Sequence, residues 1–143
     1  MTHKRDHFHI LLVDDNPSLL SLYAALLRDA GHQVETATNG TEALDRLTRA
    51  PNDPPDLVLL DMEMPEMDGC EAVRRIRADA RLSTLPVVAL TSHELPEQIS
   101  RSLDAGCDAY IVKPTRQNAL LEELAFFFSE LPLTRDVHGP AHS

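Results

Sequence analysis

The sequence predicts an α/β fold: a five-stranded parallel sheet, doubly wound, built from five βα units. Two observations predict it. Short apolar runs alternate five times with longer segments of helical period. The runs themselves are nearly continuous in apolar residues, as strands are when helices cover both faces of a parallel sheet. Parallel neighbours need crossover connections, and the intervening helices supply them.

Each element has its own signal. The first run is Phe8–Val13. A helix follows, with Asn16 as cap, Pro17 at its first position and Gly31 past its end. Leu19, Leu20, Tyr23, Leu26, Leu27 and Ala30 form its apolar stripe. "QVETA" is a second, weaker strand. Asn39-Gly40 turns the chain into a second helix carrying Ala43, Leu44 and Leu47, and "PNDPP" breaks it. "DLVLL" is the third strand and "MDGCEAVRRIRAD" the third helix. "LPVVAL" is the fourth strand, followed by a helix with Pro96, Ile99 and Leu103 that Ala105-Gly106 closes. "AYIV" is the fifth strand, and the last helix runs from near Thr115 to Pro132. The expected organisation is an N-terminal tail (1–7), one domain (8–131) and an aperiodic C-terminal tail (132–143) with no second domain.

Composition narrows the function classes. A chain of 143 residues buries roughly 70% of its unfolded surface and needs no staples. Cys70 and Cys107 match no paired-ligand spacing and read as free thiols in a reducing compartment or as small core residues. No apolar run approaches the ~18 residues of a membrane span, and the start "MTHKRDHFH" has no signal-peptide core. The expected location is the cytoplasm, without a membrane partner. A net charge of −10 disfavours nucleic acid, which selects a basic face. His7 with His9, and His138 with His142, lack third and fourth ligands at metal-binding spacing.

The polar residues fall in one place. Asp14 and Asp15 follow the first strand, Asp61 the third, Thr91 the fourth and Lys113 the fifth. In a parallel sheet these carboxyl ends share an edge, where such folds bind ligands. Three carboxylates, a hydroxyl and an ammonium are therefore expected in a shallow pocket. Three carboxylates so close are not comfortably all charged without a cation. Lys113 supplies one positive charge, and a divalent ion supplies two more. Mg2+ suits oxygen ligands and pairs carboxylates with phosphate oxygens. An aspartate is also a competent nucleophile toward phosphorus. Of the thirteen basic residues only Lys4 and Lys113 are lysines, so an ammonium at 113 stands out among arginines. Capping alone accounts for any one of these residues, but not for all five at matching strand ends.

The pieces "LLVDDN", "DLVLLDMEMPEMDG", "VVALTS" and "DAGCDAYIVKP" carry a family resemblance. The chain resembles a response-regulator receiver domain of two-component signalling, of the single-domain type, from about Phe8 to Leu131. The resemblance implies the flavodoxin-like receiver fold and a phosphoacceptor at Asp61. It implies Mg2+ (or Mn2+) on Asp15, Asp61 and the main-chain carbonyl of Glu63, with Asp14 acting mainly through water. Lys113 and Thr91 would contact the phosphoryl oxygens, and Tyr110 matches an aromatic switch that turns inward behind the threonine. The Lys113–Pro114 peptide is expected to be cis. Glu63 and His93 occupy positions that tune phosphoryl lifetime in the family. Ser92 stands where the family more often has Ala.

The implied partners are a histidine kinase or histidine phosphotransfer protein and a downstream protein that the sequence does not identify, with the chain a monomer or weak homodimer. The chain is not expected to be an enzyme beyond catalysing its own phosphorylation and slow dephosphorylation. Two rivals keep the fold and change the function: a receiver-like scaffold that acts without phosphorylation, and an aspartate-based phosphatase with Glu63 as its acid. The second rival lacks a cap domain. In the last helix, the spacing puts Leu120, Leu124, Phe127, Phe128 and Leu131 on the face toward the sheet. Phe126 falls opposite, beside Glu122 and Glu130, and is the candidate docking or self-association residue.

Overall fold

A computed structural model of the protein describes residues 7–64, 68–91, 96–113 and 117–129. Among the described residues the elements alternate without exception: β1 (His9–Val13), α1 (Pro17–Asp29), β2 (Gln33–Ala37), α2 (Gly40–Arg49), β3 (Leu57–Asp61), α3 (Gly69–Ala78), β4 (Val87–Thr91), α4 (Pro96–Ala105), β5 (Ala109–Val112) and α5 (Gln117–Phe128). The strands form one parallel sheet in the order β2-β1-β3-β4-β5. Strand order therefore reverses between β1 and β3, which makes their carboxyl ends the switch point of the sheet.

Alternate side chains of the strands feed two cores. Leu11, Val13, Val58, Leu60 and Ala89 pack with Leu47 of α2, Val73 and Ile76 of α3 and Ala105 of α4. Ile10, Leu12, Leu59, Leu90 and Ile111 pack with Tyr23 and Leu27 of α1 and Leu120 and Leu124 of α5. The central strands β3 and β4 are buried at every residue. The edge strands are not: β2 and β5 each mix buried residues with partly or fully exposed ones.

Local chemistry fixes the helix ends. The Asn16 side chain accepts from the N–H groups of Ser18 and Leu19, and the Asn39 side chain accepts from Glu42 N–H at 2.8 Å. Asp68 caps α3 in the same way, accepting from Glu71 N–H. Two helices close on a left-handed glycine. At Gly31 (φ 99°) the Gly31 N–H donates to Arg28 C=O and the His32 N–H to Leu27 C=O. At Gly106 (φ 124°) the matching pair runs to Leu103 and Ser102. Ala30 is exposed as the cap residue of α1 rather than completing its apolar stripe. Leu103 is also exposed, and α4 buries the small Ser102 and Ala105 instead.

The last helix has the phase its spacing predicts. Leu120, Leu124 and Phe128 are buried, Phe127 is half-buried and Phe126 is 72% exposed. Phe128 stacks on Phe8, with ring centroids 4.0 Å apart and 7° between planes, which ties the end of α5 to the start of β1. Leu131 and Glu130 lie outside the described residues. No helix among the described residues is long and apolar enough to cross a membrane.

Candidate functional site

Sheet register assembles the site. Val13 pairs with Leu60, so the residue after each, Asp14 and Asp61, lie side by side at the switch point. Asp61 pairs with Leu90, and Thr91 pairs with Val112, so Thr91 and Lys113 step off the neighbouring strand ends. Main-chain bonds extend the ladder past the strands: Asp14 N–H donates to Ala37 C=O, Met62 N–H to Leu90 C=O and Lys113 N–H to Thr91 C=O. Asp14, Asp61, Thr91 and Lys113 are therefore held by backbone that is already paired, and Asp15 follows Asp14 directly. Asp61 and Thr91 are the last residues of β3 and β4 rather than the first residues beyond them.

The side chains converge as expected, but the pocket is deeper than a shallow edge. Asp14, Asp61 and Thr91 are 0%, 1% and 2% exposed, while Asp15 reaches solvent. Carboxylate oxygens of Asp14, Asp15 and Asp61 all lie within 4.8 Å of one another. The Lys113 ammonium stands 3.4 Å from Asp14 Oδ2 and 3.2 Å from Asp61 Oδ1. Asp14 Oδ1 accepts from Asn16 N–H, and Asp61 Oδ1 accepts from Glu63 N–H, both at 2.9 Å. Thr91 Oγ1 donates to Glu63 Oε2 at 2.8 Å.

The electrostatics follow. Burial pushes the Asp61 carboxyl up to about 7, against the pull of Glu63 N–H and Lys113 and with the help of the Asp14 charge. For Lys113, burial works against its charge, but Asp61 and Asp14 prevail and raise it above its ordinary value. One ammonium does not balance three carboxylates. The donor set is all oxygen, hard and negative, and it fits Mg2+ or Mn2+ better than a softer ion.

Gly69 is a site residue that the sequence reading passed over. A Cβ at this position would lie 2.7 Å from Met62 Cα and 2.9 Å from Asp61 C=O. The first turn of α3 thus packs directly on the backbone that carries Asp61, and only glycine leaves room. The signal was present in "MDG", where a glycine follows the Asp68 cap.

Other expectations fall elsewhere. The Tyr110 ring is 40% exposed, turned outward. The Glu63 side chain engages Thr91 rather than standing free beside the pocket. His9 bonds Glu35, whose carboxylate Arg46 grips at 2.7 Å and holds below its ordinary range, so that histidine serves a structural ion pair. Cys70 and Cys107 are free and buried, and burial pushes the Cys107 thiol up to about 12. His93, Ser92, His138, His142 and the Lys113–Pro114 peptide lie outside the described residues.

The model of the "Response regulator receiver domain" family matches residues 10–125. A gliding motility regulatory protein of Myxococcus xanthus is 41% identical over 104 residues, 73% of this chain and 13% of its own length. The sensor histidine kinase RcsC of Salmonella typhi is 38% identical over 130 residues, 91% of this chain and 13% of its own. The chain thus spans about an eighth of these relatives. Among solved structures, the receiver domain of a sensor histidine kinase from Pseudomonas aeruginosa, with a magnesium ion coordinated in its active-site cleft, aligns at TM-score 0.75 and 32% identity, covering 86% of this chain and 98% of that one. Chemotaxis protein CheY4 of Vibrio cholerae aligns at TM-score 0.74 and 33% identity, covering 82% and 96%.

The raised Asp61 carboxyl has a measurable cost to folding. Unfolded, it ionises near 3.8; folded and metal-free, it keeps its proton to about 7. Between those values the native state binds more protons, so stability falls as pH rises through the window and is lowest above it. In EDTA at pH 8, Asp61→Asn stabilises the protein by about 1–3 kcal/mol in urea denaturation, and the gain shrinks toward pH 5. A gain that does not change with pH would contradict this.

Proposed function

This chain belongs to the response-regulator receiver domain family, and on that premise we propose that it accepts a phosphoryl group onto Asp61 from the phosphohistidine of a histidine kinase or histidine phosphotransfer protein. The observation that carries the reading is the convergence of Asp14, Asp15, Asp61, Thr91 and Lys113 on one edge of the sheet. Chemistry of this kind needs positioning and charge stabilisation more than covalent help.

In the transfer, an Asp61 oxygen forms a bond to phosphorus as the phosphorus–nitrogen bond of the phosphohistidine breaks. The electron pair stays on the departing imidazole, which takes up a proton from solvent. Glu63 N–H and Lys113 hold Asp61 Oδ1 and so fix the plane of the attacking carboxylate. Lys113 offers its ammonium to the incoming phosphoryl oxygens, and Thr91 offers its hydroxyl. Asp15, Asp61 and the Glu63 main-chain carbonyl, with Asp14 acting mainly through water, would hold Mg2+ (or Mn2+), which would supply positive charge against the crowded carboxylates. The chain catalyses only its own phosphorylation and the slow hydrolysis that resets it.

The new charge at Asp61 then biases a two-state element. Thr91 and Tyr110 lie on the adjacent strands β4 and β5, and in this reading their side chains are that element. The output is docking of a downstream protein. A cytoplasmic location suits the phosphohistidine donors and the two free thiols.

With Mg2+ and a small phosphodonor such as acetyl phosphate, the protein gains one phosphoryl group by intact mass spectrometry. Asp61→Asn gains none. Equal labelling of the variant would remove Asp61 as the acceptor.

Phe126 contributes to the docking or self-association contact. Its ring is exposed, so Phe126→Ser leaves stability within about 0.5 kcal/mol and Asp61 labelling unchanged. Analytical ultracentrifugation of the beryllofluoride-loaded protein, alone and with its phosphodonor, shows association weakened by about tenfold. Association identical to the parent in both mixtures would leave Phe126 an ordinary surface residue.

A further inference from the structure

Thr91 and Glu63 form a side-chain pair that the proposed transfer has to undo. Thr91 Oγ1 donates to Glu63 Oε2 at 2.8 Å, linking the end of β4 to the loop after β3. A hydroxyl carries a single proton. A carboxylate is a strong acceptor for it, about twice as strong as a neutral oxygen. A phosphoryl oxygen on Asp61 needs that same proton. From this geometry we infer that the Glu63 carboxylate is a latch on the Thr91 hydroxyl, a positioning residue that raises the threshold at which the pocket accepts a phosphoryl group. The inference rests on the phosphoacceptor reading of the site.

The two halves of Glu63 then act in opposite senses. Its main-chain N–H holds Asp61 Oδ1 at 2.9 Å and supports the acceptor. Its side chain takes the Thr91 hydroxyl proton in a hydrogen bond. The surroundings allow the latch to open. A cavity of about 90 Å³ lies against the pair, walled by Cys70, Gln98, Arg101 and Ser102 among others. Glu63 is itself solvent-exposed, so its carboxylate regains water when it lets go. Arg101 stands in the cavity wall as a cation toward which a released carboxylate can turn. Thr91 is 2% exposed, so water does not readily replace Glu63 as the acceptor of its hydroxyl, whereas a phosphoryl oxygen on Asp61 would.

The test is equilibrium binding of beryllofluoride, a phosphoryl mimic, in saturating Mg2+. Glu63→Ala binds it about tenfold more tightly than the parent, and Glu63→Gln falls between, because an amide oxygen still accepts the hydroxyl but more weakly. With Thr91→Ala already in place, Glu63→Ala changes affinity by less than about twofold, since nothing remains to be released. Mg2+ titrated alone into each variant reads the metal site separately. An equal gain with and without Thr91 would overturn the latch, leaving charge repulsion alone. So would no gain at all, or a change in Mg2+ affinity as large as the gain. A parent protein that binds no beryllofluoride overturns the phosphoacceptor reading first and the latch with it; a parent that binds while Glu63→Ala shows no gain overturns the latch only.

Discussion

Lys113 stands between Asp14 and Asp61, one ammonium against three carboxylates at the carboxyl edge of the sheet. This imbalance constrains everything built around it. Asp14 and Asp61 are buried, so solvent does little to screen their repulsion. Burial pushes the Asp61 carboxyl up to about 7, and the Asp14 charge adds to this while Glu63 N–H and Lys113 oppose it, so the metal-free site keeps a proton there. A divalent cation held by the three carboxylates would supply the missing charge instead.

The fold exists, in this account, to hold that strained arrangement still. Repelling carboxylates on loose loops would drift apart. Here each follows a strand end whose register is fixed by paired backbone, with β3 and β4 buried throughout. Gly69 lets α3 press against the backbone of Asp61 and Met62. The Asn16 and Asp68 caps set the start of α1 and α3 beside the same edge. Rigidity in the central strands contrasts with the half-exposed Tyr110 on edge strand β5, where a change at Thr91 has room to be read.

Much of this was legible in the sequence, for physical reasons. The succession of elements and the helix ends follow from apolar runs, caps and glycines that act locally, so Asn16, Gly31 and Gly106 did what their spacing implied. The convergence of Asp14, Asp15, Asp61, Thr91 and Lys113 follows from topology, because parallel strands put all their carboxyl ends on one side. Phe126 was readable from a helical phase alone. What the sequence concealed depends on tertiary distance. Glu63 and Thr91 lie 28 residues apart, and no local rule joins them. His9, Glu35 and Arg46 meet only once β1 and β2 pair. Gly69 read as a turn residue, whereas its role comes from the backbone of Asp61 packed against it. The depth of the pocket was misjudged because strand ends in a small sheet seem open until the helices are placed.

Proton release on Mg2+ binding tests the charge imbalance most directly. Calorimetric titration of Mg2+ in buffers of differing ionisation enthalpy counts the protons displaced per ion. The account predicts release approaching one proton per ion near pH 6, falling close to none by about pH 9, because the ion displaces the proton that burial keeps on Asp61. Asp61→Asn abolishes the release. Binding without proton release at pH 6, or release that survives Asp61→Asn, would contradict the claim that this pocket is built around an uncompensated carboxylate.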